Sequence, residues 1–128
     1  MTDDDSISDN DLVYRRINPE WMIWDDDPPR ITSAAFQNMD GDKMSANLQS
    51  ILEDAGQSVD DLIRDWPGYG VAAISVRKMS ELGQSIELAP ESNDISHIHV
   101  VGKKSRSIKK KLAASASDSV WVYPRKTT

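Results

Sequence analysis

The chain has 128 residues, no cysteine, 38% apolar and 28% charged residues, and a formal net charge of −6. That length carries one proper core and, without cysteine, excludes disulfides, thiolate zinc sites and cysteine nucleophiles. There is no run of about 18 apolar residues to span a membrane, and the acidic start Met1-Thr2-Asp3-Asp4-Asp5 lacks the apolar region of a secretory signal. The charge is laid out unevenly. Residues 1–65 carry 16 acidic against 5 basic side chains, and residues 66–128 carry 5 against 10. Such polarity points to two opposed electrostatic faces.

Taken in chain order, residues 1–11 are mostly Asp, Ser and Asn and are expected to be a disordered acidic tail. Leu12–Ile17 has strand composition, and Pro19 stops it. Trp21 to Pro29 reads as an aromatic, acidic, proline-ended loop, followed by a second strand over Arg30–Phe36 and a turn at Asp40-Gly41. Ser45 is placed to cap a helix whose Leu48, Ile51, Leu52 and Ala55 fall on one stripe, with Gly56 ending it. A short helix over Ser58–Trp66 has acidic residues at its positive end, and Pro67-Gly68-Tyr69-Gly70 forces a turn. Val71–Val76 reads as a buried strand, then one or two helical turns run to Gly83.

Ser85–Leu88 and Ile95–Val101 read as further strands. Ser105 or Ser107 opens a helix with Ile108, Leu112 and Ala116 in one stripe, and Val120–Tyr123 is expected as a closing strand before a mobile end at 125–128. The expected fold class is α+β: one domain over 12–124, with a mixed sheet of five to six strands and three to four short helices.

Several constellations bear on chemistry. His97 and His99 share one face of a strand, with Ile95, Ile98 and Val100 expected on the core side; a metal would still need a third ligand, so no metal site is assigned. Gly102-Lys103-Lys104-Ser105 resembles half of a phosphate loop but lacks the earlier glycine, with His97 in its place, and the Ser/Thr directly after Lys103. What survives is a strand end, a cluster of cations and a helix N-terminus, which together favour an anion. The stretch reads first as a solvated basic helix face; the functional alternative is an anion cleft lined by Arg16, His97, His99, Lys103, Lys104 and Ser105.

Arg15 and Arg16 point to opposite faces of the first strand, so one must find a carboxylate or a ligand on the inner side, with Asp25, Asp26 and Asp27 available. Asn38, Asp40 and Asp42 around Gly41 fail the calcium-loop pattern, because Phe36 and Asn47 stand where carboxylates are needed. Trp66 and Trp121 read as core. Trp21 and Trp24, beside Asp25, Asp26 and Asp27, read either as interface anchors or as a lid folded over the sheet.

Two resemblances follow from these residues. Tyr14-Arg15-Arg16-Ile17, Arg30–Phe36, Met44-Ser45 and Ser96–Gly102 with the following Lys/Ser-rich helix resemble a group of small uncharacterised bacterial proteins. The resemblance implies a single bacterial cytoplasmic domain and supplies no activity. A fainter likeness is to ADP-ribosyl-transferring or NAD-degrading toxin folds, which implies roles for Arg16 and Ser33. The catalytic Glu of those folds has no clear match, with Glu81, Glu87 and Glu91 as candidates by exclusion. The leading expectation is a non-enzymatic protein-interaction module, an accessory, regulatory or immunity-type subunit with no cofactor, whose partner has a basic surface. The alternative is a nucleotide- or phosphate-binding protein, or an ADP-ribosyl- or NAD-processing-like enzyme acting through Arg16, Ser33, His97 and His99. Nucleic acid is disfavoured by a pI near 4.8.

Overall fold

A computed structural model describes residues 7–26, 29–38 and 41–118. The elements run β1 (Leu12–Ile17), a 3-10 turn (Pro19–Trp21), β2 (Met22–Ile23), β3 (Arg30–Ile31), a second 3-10 turn (Ser33–Ala35), β4 (Lys43–Leu48), α1 (Gln49–Asp54) and α2 (Val59–Ile63). They continue with β5 (Gly70–Ser75), α3 (Val76–Glu81), β6 (Ser85–Leu88), β7 (His97–Val101) and α4 (Arg106–Asp118). Five strands form one sheet in the order β5-β1-β4-β7-β6, and β2 with β3 forms a separate ribbon. This is the expected α+β class. Where a mixed sheet was expected, every pairing among the described residues is antiparallel.

The strand period of two sorts side chains onto two faces. One face presents Val13, Ile17, Met44, Leu48, Ile74, Ile98 and Val100, packed against Phe36 and against Leu112 and Ala116 of α4. The other presents Tyr14, Val71 and Ala73, covered by Leu52 of α1 and by Leu62 and Ile63 of α2. Beyond those helices the second face carries polar side chains. Ser45, Asn47, His97, His99 and Glu87 follow one another across β4, β7 and β6.

Five local expectations are corrected. Lys43–Leu48 is a strand, not the first turn of a helix capped by Ser45. The slot between β1 and β7 needs a strand there, and Met44, Ala46 and Leu48 bury on alternate positions. The helix starts later because the Asp11 carboxylate accepts from the Ser50 backbone N–H and hydroxyl, satisfying a first-turn donor. That bond also ties down a residue of the expected tail. Asp11 is buried and Ile7 packs on the core; residues 1–6 lie outside the described residues.

The strand expected over Arg30–Phe36 stops at Ile31, where the chain coils so that Ala35 and Phe36 enter the core. The strand expected from Ile95 begins at His97, because Glu91 and Asp94 close a tight bridge first; Ile95 is then 50% exposed rather than in the core. Trp66, also expected in the core, is 42% exposed.

Other expectations hold. Ser58 and Asp61 make a reciprocal capping box on α2. Ser105 Oγ accepts from the Ile108 N–H at the start of α4. Gly102 has φ +151°, a backbone conformation that residues with a side chain rarely adopt, so the chain leaving β7 favours glycine. The turn residue Asp40, Trp121 with the Val120–Tyr123 strand, and the end at 125–128 lie outside the described residues.

Candidate functional site

A groove of about 470 Å³ opens where the end of α2 meets the loop before β7. Its lining includes Arg16, Asp61, Asp65, Trp66, Glu91 and Asp94. The helix expected over Ser58–Trp66 stops at Ile63, and Trp66 follows in the turn that Pro67-Gly68 closes, 5.2 Å from the Tyr69 ring. Arg16 reaches up from β1. Its Nη1 donates to the Leu62 carbonyl at 2.9 Å, and its guanidinium carbon lies 4.9 Å from the Trp66 ring centroid. That stack holds the indole as one wall.

The opposite wall is positioned from the sheet. Asn47, buried on β4, donates through Nδ2 to Asp94 Oδ1 at 2.8 Å and to Ser96 Oγ at 2.9 Å. Two backbone bonds between Glu91 and Asp94 then fix the turn that carries both carboxylates. Asp61 accepts from the Ser58 N–H at 2.8 Å and also pairs with Arg64. Chiefly that backbone bond, with the nearby Arg64 charge, holds its carboxyl below the usual range. Four carboxylates thus face two arginines in the lining, one stacked on Trp66 and the other paired with Asp61. The groove is acidic with an aromatic wall. Ile95, next to Asp94 in the chain, is with Trp66 one of the two exposed large apolar side chains among the described residues.

The anion cleft expected from sequence is not assembled. Arg16 lies in this groove, whose lining contains neither histidine and neither Lys103 nor Lys104. His97 and His99 do meet, edge to face with centroids 5.1 Å apart. His97 is buried, and its Nδ1 lies 2.9 Å from the Ala89 carbonyl. A carbonyl only accepts, so Nδ1 carries the hydrogen. Lys104 donates to Asn38 Oδ1 at 2.6 Å, the Gly102 carbonyl at 3.0 Å and the Val100 carbonyl at 3.2 Å. Those three bonds use all three of its donors. Lys103 is exposed, and the Ser105 hydroxyl caps α4.

The residues of the toxin-fold likeness are also apart: Ser33 lines a separate pocket beside α4, away from Arg16. Glu81 pairs with Lys78 and Glu87 with Lys43, while Glu91 lines the acidic groove. Among the described residues, no group of three or more His, Asp or Glu is placed to hold a metal ion.

The aromatic loop folds back on its own chain. Trp21 is half-buried against the core beneath the Arg15 guanidinium at 5.6 Å, and Trp24 Nε1 donates to the Pro19 carbonyl at 3.1 Å. Asp26 pairs with Arg30 at 2.8 Å and Asp25 is exposed; Asp27 lies outside the described residues. Among the described residues, neither arginine of β1 bonds an expected carboxylate. Arg15 donates to the Ala35 carbonyl at 3.0 Å and the Ser45 carbonyl at 2.8 Å, and Arg16 to Leu62.

No helix among the described residues is long and apolar enough to cross a membrane. Compared with protein-family models, curated proteins and solved structures, the chain matches none of them.

Proposed function

We propose that the protein is a non-enzymatic interaction module whose acidic groove receives a lysine- or arginine-bearing segment of a partner protein. The observation that supports this reading is an exposed tryptophan forming one wall of a groove edged by Asp61, Asp65, Glu91 and Asp94. Aromatic anchors in pockets dominate interface energetics, and an incoming cation can lie on the indole while carboxylates meet its charge. Complementary charge speeds encounter and selects the partner more than it adds affinity. The anchor moves accordingly, from Trp21 and Trp24 to Trp66.

The test is calorimetric titration with a Lys-Leu repeat peptide and with its Glu-Leu counterpart at two salt concentrations. The reading expects the lysine peptide to bind, more weakly at high salt, and Trp66→Ala to lose that binding. Equal binding by the Trp66→Ala protein, or no binding of the lysine peptide at low salt, overturns it.

A further inference from the structure

A second concavity of about 470 Å³ lies between α4 and the β2–β3 ribbon. We infer that it is a binding site for a small phosphate monoester. Its lining includes Arg30, Thr32 and Ser33 on one side and Lys110, Ala113 and Ala114 of α4 on the other. The volume suits a small organic ligand. Thr32 is fixed in place, since its hydroxyl and N–H both donate to the Trp21 carbonyl, at 2.7 and 2.8 Å. Asp26 holds Arg30 through Nε at 2.8 Å. Arg30 and Lys110 belong to different elements, and Ser33 adds a hydroxyl-bearing residue to the lining. The Lys110 ammonium, with the Arg30 guanidinium nitrogens outside its Nε bond to Asp26 and a hydroxyl, matches a phosphate dianion better than a single carboxylate. The alanines give the organic part an apolar wall.

The same helix supplies a second, independent observation. Residues 103–111 hold six cations, Lys103, Lys104, Arg106, Lys109, Lys110 and Lys111, and no acidic residue. None of the six is in an ion pair among the described residues. An open furrow lined by Arg106, Ser107, Lys110 and Lys111 adjoins the pocket through Lys110. This basic stretch leads into and opens α4, the helix on the opposite sheet face from α1 and α2, so it attracts an anion in a chain of net charge −6. A polyanion would meet that net charge over its whole length, whereas a monoester meets only the pocket. The site does not depend on the acidic groove.

The experiment follows backbone amide resonances of the full chain during titration, at fixed ionic strength, with ribose 5-phosphate, inorganic phosphate and a single-stranded oligonucleotide. Ribose 5-phosphate is expected to saturate and to shift Thr32, Ser33, Ala113 and Ala114. Lys110→Ala, an exposed substitution whose fold the same spectrum verifies, is expected to weaken it about tenfold. Lys103→Ala is expected to change it by less than about twofold, as a screened surface charge does. Inorganic phosphate should bind the same residues more weakly, because it leaves the alanine wall uncovered. Trp66→Ala should leave this titration unchanged, which separates the site from the groove. Equal losses in Lys103→Ala and Lys110→Ala, binding of the oligonucleotide alone, equal binding of inorganic phosphate, or no saturable shift would each overturn the assignment.

Discussion

Arg15 and Arg16 are neighbours on β1, yet they sample two faces of one sheet that are built for different ends. On the face covered by α4, Arg15 is half-buried and its guanidinium is enclosed by the Ala35 and Ser45 carbonyls and the Trp21 ring. Burial, reinforced by the Arg16 charge, lowers its pKa to about 10, so it stays charged at neutral pH. Its bond to Ser45 has a structural reason. β1 pairs with β5 over six residues but with β4 only at Val13 and Tyr14. Arg15 bridges the two strands where their ladder has stopped. On the other face Arg16 makes one carbonyl bond and otherwise braces an exposed indole. Coverage of the face, rather than residue type, decides whether an arginine ties the fold together or shapes a groove.

Truncating single residues along one strand sharpens that contrast. Ile98 is fully buried while His99, the next residue of β7, is half-buried on the polar part of the other face. Ile98→Ala is expected to destabilise by about 2–5 kcal/mol, as methylene loss in a close-packed core does. His99→Ala should stay within about 0.5 kcal/mol, as surface changes do. Both are read from urea midpoints; comparable losses would show that the second face is packed as tightly as the first.

The arginines give the next largest difference. Arg15→Ala leaves two enclosed carbonyls without their donor and is expected to cost about 2–3 kcal/mol. Arg16→Ala should cost about 1 kcal/mol or less, while releasing Trp66, whose fluorescence becomes more accessible to a collisional quencher. Equal destabilisation with unchanged quenching would break the comparison.

How much of this was legible follows the same division. β1, β5, β6 and β7 were readable because apolar alternation or β-branched runs lie between plain turn signals. β4 was not. Its Ala46 is small and its buried Asn47 is polar, so alternation is faint, while Leu48, Ile51, Leu52 and Ala55 make a helical stripe that runs across the strand–helix junction. The groove was illegible for a related reason. Trp66 reads as core by composition, and bonds between residues 47 to 49 positions apart, those of Asn47 to Asp94 and Ser96, help to bring the opposite wall to it. The one available signal was Pro67-Gly68, which puts the tryptophan in a turn rather than inside a helix.

The smallest expected effect concerns Lys104, the tie between the segment after the 33–35 turn and the end of β7. Burial lowers its pKa to about 8 from the ordinary 10.5, with Asp42 favouring the charged form and Arg15 opposing it. Between those two values the unfolded chain keeps a proton that the folded chain has released. Stability therefore rises with pH from about 8, as the cost of burying the charge is relieved. Tyr14 sets the upper end of the window. Burial, then Glu53 and Asp11, raise its pKa above the ordinary 10.0, so the unfolded chain ionises first and stability falls beyond that point. The wild type should thus gain stability between about pH 8 and 10 relative to Lys104→Met, measured as the difference in urea midpoints at each pH. The gain stays below the other two effects because solvent still reaches the ammonium and screens it. Parallel profiles for the two proteins would mean that Lys104 keeps its ordinary proton affinity, and that its three oxygens compensate its burial in full.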